Sequence, residues 1–208
     1  MSNFTSESTR NILGHVIYAK VVFQDKFQHY VHHSSLFLEA FTICYKLLLP
    51  ALKQVNEVFC QKRSLSEAAS FCHLALSTVL EKSSTLLDND LCCMETLMFD
   101  MSVLVHNVTT AALPFLDFLK HSTIELDYVV LSDFPEKFRE CVSDLQLKCS
   151  QEYCGSHTLV GGVATLQSDL NKLVAQCHQL VEYIQVSMQL LYSCQLLLQK
   201  MEEAISNQ

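Results

Sequence analysis

The chain has 208 residues, half of them hydrophobic and only 17% charged, which supplies material for a sizeable core and excludes general disorder. Fourteen Lys and Arg stand against 22 Asp and Glu, a net charge of −8, and no stretch gathers the basic residues onto one face, so nucleic-acid binding is disfavoured. Four Gly, three Pro and no Trp point to helices, because the turns of sheets draw on Gly and Pro, and the expected fold class is all-α.

Six helical segments can be drawn in chain order. The first covers about 8–31 and carries Ile12, Val16, Ala19, Phe23 and Phe27 on one face. It is expected to close at "HYVHHSS", where His29, His32 and His33 suit the negative end of the helix dipole. The second covers about 36–61 with Phe37, Phe41, Cys44, Leu48 and Leu52, and Pro50 should kink or break it. A capping box, Ser64-Leu65-Ser66-Glu67, starts the third, which ends near Leu87. Asp88-Asn89-Asp90 is expected to cap the fourth, which reaches about Lys120 with Pro114 near its end.

Residues 121–134 are the least helical stretch, and "LDYVVLSDF" has the β-branched and aromatic content of a short extended segment. Asp133-Phe134-Pro135-Glu136 restarts a fifth helix, since proline suits a first turn and an acid suits its positive end. That helix should stop near Gly155, followed by a glycine-bearing loop over 155–162. The sixth helix, about 163–205, holds the strongest pattern. Leu166, Leu170, Leu173, Cys177, Leu180, Ile184, Ser187, Leu191, Cys194, Leu198, Met201 and Ile205 alternate by four and three, the seam of a coiled coil. Tyr183, Leu190 and Leu197 add a second apolar stripe, the candidate interaction face. The expected architecture is one domain over 1–208, an antiparallel bundle of five or six helices with a long C-terminal helix.

Three features, "LPALKQVNEVF" before a polar break, "VVLSDF" after the fourth helix, and the long Leu-rich last helix, resemble a vertebrate open-reading-frame family of unknown function. The resemblance rests on Leu131-Ser132-Asp133-Phe134 and the order of helices, and it implies no activity, cofactor, partner or site residue.

Several side-chain patterns bear on chemistry. His29 and His33, four apart, stand about 40° from each other around a helix and could face one ion. A third ligand is missing: His15 lies about 21 Å up the helix, and no Glu follows His29 as HExxH requires. Cys154 and His157 could pair as nucleophile and base, but no orienting third group accompanies them. Gly161-Gly162 lacks the lysine and spacing of a phosphate loop, and no acid pair lies on an apolar face. No catalytic residue, metal ligand or cofactor is therefore assigned, and the chain is read as no enzyme.

The ten cysteines show no CxxC pair, and most occupy apolar helix positions as small hydrophobes, with Cys154 expected to be the most accessible. The N-terminus lacks a basic stretch followed by an apolar one, so no signal peptide is read and a cytoplasmic location with reduced thiols is expected. The longest uncharged stretches, 101–116 and 183–199, are shorter than the ~20 residues of a membrane span, so none is expected. These readings converge on a non-enzymatic interaction or scaffold protein that docks a partner helix or its own copy. The runner-up is a bundle that binds an apolar small molecule or lipid.

Overall fold

An apolar residue every seven positions keeps one face of an α-helix turned to the same neighbour, and that repeat passes through the histidines without a break. In a computed structural model, which describes residues 6–121, 131, 133–151 and 159–207, helix α1 spans Ser6–Phe59. The helix end expected at the histidines is absent. Val16, Phe23, Tyr30, Phe37, Cys44 and Ala51 follow at intervals of seven, and Ser34, Phe41, Leu48 and Val55 fill the alternate positions; all are buried. Ser34 lies in this seam with its hydroxyl donating to the Tyr30 carbonyl, so its polar atom costs little there. The break expected at Pro50 is absent too. Its ring removes one helix bond, but Pro50 is on the exposed side while Leu48 and Ala51 are fully buried, so water can serve the freed carbonyl and packing holds the helix.

The end of α1 is a left-handed turn. Gln61 has φ 56°, Lys62 N–H donates to the Glu57 carbonyl at 3.0 Å and Gln61 N–H to the Val58 carbonyl at 3.0 Å, a Schellman closure. Helix α2, Leu65–Thr85, begins where the capping box places it, with Glu67 N–H donating to Ser64 Oγ at 3.3 Å.

Asp88-Asn89-Asp90 does not start a new helix. Leu86–Asp90 is a π turn that joins α2 directly to α3, Leu91–Ala112. The apolar repeat explains it. Leu76 and Ser83 are seven apart, and Leu91, Met98, Val105 and Ala112 follow at sevens, but Ser83 and Leu91 are eight apart; all are buried. One extra residue would rotate the following face by about 100°, and a wider π turn absorbs it. Arg139 Nη1, 2.8 Å from Asp88 Oδ2, ties this turn to the fourth helix.

After a 3-10 turn at Asp117–His121, helix α4 spans Phe134–Gln151, with Pro135 and Glu136 in its first turn as expected. Helix α5, Leu159–Ser206, is long, but it starts inside the expected loop and takes up Gly161 and Gly162. First-turn N–H groups lack intrahelical partners in any case, so glycine there disturbs no completed ladder. The extended segment expected before α4 and the Cys154-Gly155-Ser156-His157 stretch fall on residues 122–130, 132 and 152–158, outside the described residues.

Packing divides the chain into two units, and α1 and α5 contribute to both. One comprises Met1–Ser34, Cys93–Val130 and Gln185–Gln208. Within it Lys26 Nζ meets Asp100 Oδ2 at 2.7 Å, Lys20 pairs with Glu202, and Lys200 Nζ lies 4.7 Å from the Phe118 ring centre. The other comprises Ser35–Cys92 and Leu131–Ile184. Here α5 runs opposite to α1, with Tyr45 and His178 rings 6.1 Å apart and Gln167 Nε2 donating to Asn56 Oδ1 at 2.6 Å. Phe37 and Phe41 stack at 4.5 Å, and Phe41 meets Phe138 of α4 at 5.5 Å.

Allowing up to two charged residues, 18-residue windows in Glu7–Phe59 and Leu65–Ala112 are apolar enough for a membrane span by length and composition alone. The core helix of a water-soluble protein passes the same test.

Deleting Asn89 should restore the seven-residue interval and leave a folded protein melting within about 5 °C of the parent. Deleting Ser102 should instead turn Val105, Val108 and Ala112 out of their core and unfold it. Thermal melts of the two deletions followed by circular dichroism check this; equal damage from both would refute the role of the π turn.

Candidate functional site

The clustered histidines of α1, His29, His32 and His33, lie in mid-helix, on turns flanked by the buried seam residues Tyr30 and Ser34. His29 and His32 are exposed, whereas His33, one residue before Ser34, sits half-buried at the seam's edge. On α3, Cys93 holds the equivalent edge position, one residue before buried Met94, and is also half-buried. The two edges meet in one unit, with Cys93 Sγ 3.4 Å from His33 Nε2. With the ring proton on Nδ1, Nε2 accepts a hydrogen bond from the thiol. His32 stands edge-on to His33, ring centres 5.6 Å apart, and His29 Nε2 is 4.0 Å from Asp25 Oδ1 on the exposed face.

Among the described residues no group of three or more His, Cys, Asp or Glu side chains could hold a metal ion. His15 is apart from the cluster and lines an open groove of about 180 Å³ with Tyr18, Ala19, Leu104, Asn107, Val108 and Ala111. The candidate interaction stripe splits by burial. Leu197 is only 9% exposed, Tyr183 and Leu190 are half-buried, and the large apolar residues of α5 that are exposed, among the described residues, are Val186, Tyr192 and Leu196.

Nine cysteines are described. Cys44, Cys72, Cys149, Cys177 and Cys194 are buried, Cys93 and Cys141 half-buried, Cys60 and Cys92 exposed; Cys154 lies outside the described residues. Burial pushes the Cys44 and Cys194 thiols up to about 11. Cys72 is raised further by its hydrogen bond with Cys149 and by burial, and Cys177 by burial. Burial, then Asp169 and Asp144, raises Cys141. These thiols hold their protons and act as small core side chains.

Cys154 and His157 lie outside the described residues, and the Cys93–His33 contact, sixty residues apart in the chain, carries no local sequence signal. The signal that could have found Cys93 is register: His33 and Cys93 each precede a seam residue by one, and two packed seams bring such edges together. Compared with models of protein families, with curated proteins and with solved structures, the chain matches none.

The raised thiols carry a pH dependence. Unfolded thiols release their proton near 9.0, while native Cys44 and Cys194 keep theirs to about 11. The unfolded chain therefore binds fewer protons across that window, so stability is unaffected below it and falls as pH rises through it, by on the order of 1 kcal/mol per pH unit for each thiol. Urea unfolding at about pH 8.5 and about pH 10.5 should show a smaller drop for Cys194→Ala than for the parent. An identical drop would show that Cys194 ionises as freely in the folded protein as in the unfolded one.

Proposed function

We propose that this chain performs no chemistry of its own as its main role and acts as a helical interaction or scaffold protein in a reducing cytoplasm. Its helices form an antiparallel bundle, with the α5 seam packed in coiled-coil fashion, and its outward apolar faces dock a partner helix or a second copy. One observation carries this reading: large apolar side chains are held outward in pairs at helical spacing. In one unit these are Ile17 and Val21 on α1, Phe99 and Val103 on α3, and Tyr192 and Leu196 on α5, exposed between 40% and 59%. In the other, Phe71 and Leu74 stand three apart on α2, with Leu74 68% exposed. Residues three or four apart share a helix face, so these are stripes and not scattered single residues, and exposed apolar stripes mark interfaces.

The runner-up, an apolar small-molecule or lipid-binding bundle, draws on the groove beside His15. That groove measures about 180 Å³, against roughly 300–1,000 Å³ for sites that enclose a drug-sized ligand.

Sedimentation velocity and native mass spectrometry test the proposal. The double variant Tyr192→Asp/Leu196→Asp should melt within about 1 kcal/mol of the parent yet lose self-association or its bound partner. Leu190→Asp, at a half-buried position, should cost about 2–3 kcal/mol of stability. A parent protein that is monomeric and partner-free, with the double variant indistinguishable from it, would refute docking through α5.

A further inference from the structure

Cys93 combines three properties that thiol chemistry needs. It is half-buried, so a small reagent can reach it; it lies on the rim of an apolar seam; and an imidazole nitrogen stands 3.4 Å from its sulfur. The thiolate is the nucleophile, and a neighbouring histidine that takes the proton and then stays positive beside the sulfur stabilises it. Five other thiols are buried and Cys141 is held protonated, so none of these competes at neutral pH.

We infer that Cys93 is a thiol-modification site, with His33 as its base, that takes small-molecule disulfides of the glutathione type into a mixed disulfide. The inference does not depend on the docking function proposed above. The step is a thiol–disulfide exchange. The Cys93 proton passes to His33 Nε2, and the sulfur attacks one sulfur of the small disulfide. The old S–S bond breaks as the new one forms, and the departing thiolate takes the proton from His33. Two electrons move from Cys93 to the leaving sulfur, so the small disulfide is the oxidant and no further reagent is required. His33 is at hand for both proton transfers.

Along α1 the titratable groups within a turn are His29, Tyr30 and His32; along the chain near Cys93 they are Asp90, Cys92 and Glu95. The α5 stretch 185–199 of the same unit contains no charged residue, only Tyr192 and Cys194 as titratable groups. The acids near Cys93 oppose a thiolate and the imidazolium favours it. The His33 ring is in direct contact with the sulfur.

The test is site-resolved alkylation of the folded protein with iodoacetamide between about pH 5.5 and about pH 9.5, read by peptide mass spectrometry. Exposed Cys60, just beyond α1, is the internal reference. The pH of half-maximal rate for Cys93 should lie at least about one unit below that for Cys60. In His33→Gln it should rise to the Cys60 value while the melt stays that of a folded protein. Glutathione disulfide at neutral pH should place its mixed disulfide on Cys93 before Cys60, and more slowly in His33→Gln. Coincident Cys93 and Cys60 profiles in the parent would overturn the inference whether or not the variant folds. A Cys93 profile unchanged by His33→Gln would remove His33 from it, and glutathione disulfide appearing first on Cys60 would remove the modification.

Discussion

Burial at every third or fourth residue of the two long helices is the constraint on which the remaining structure depends. All twelve seam positions of α5, from Leu166 to Ile205, are no more than 3% exposed, and the seam of α1 is buried to the same depth from Tyr30 to Val55, with Phe27 half-buried before it. A Leu or Phe taken out of water contributes roughly 1.5–3 kcal/mol, so a helix with about one such residue per turn is held by packing and not by propensity. That is why α1 tolerates Pro50 and the cluster His29, His32 and His33 in its interior. It is also why an extra residue before Leu91 is absorbed by a π turn: losing the register would expose every later seam residue of α3.

The same constraint fixes what the cysteines do. Cys44, Cys177 and Cys194 lie in the seams, where a small apolar side chain fits and the thiol stays protonated. Cys93 differs by one position. A residue adjacent to a seam position faces the neighbouring helix only at its edge, which leaves it half in solvent and beside the matching edge of α1. One residue of offset therefore separates an inert core thiol from one that meets an imidazole.

The all-α class and the long last helix were legible from composition and from a period of 3.5 that needs no tertiary information to detect. The starts of α2 and α4 were legible as well, because Ser64 with Glu67 and Asp133 with Pro135 are local signals. The misread points share one physical cause. His29, His32, His33, Pro50 and Asp88-Asn89-Asp90 are local stop or start signals, and at each of them buried neighbours override local preference. Tyr30 and Ser34 already continued the α1 seam across the histidines, but a tyrosine and a serine do not announce a core. The His33–Cys93 contact spans sixty residues and appears only once two registers are laid side by side.

The account stands on α1 being a single helix through its histidines. Hydrogen exchange of the native protein, followed by mass spectrometry on short overlapping peptides, reads this directly. The amides of residues 29–35 should be protected as strongly as those of 20–27 and 37–44, because a continuous seam opens only with the helix it belongs to. Exchange at 29–35 as fast as in the turn at 60–63, with protected flanks on both sides, would show two helices and contradict the account.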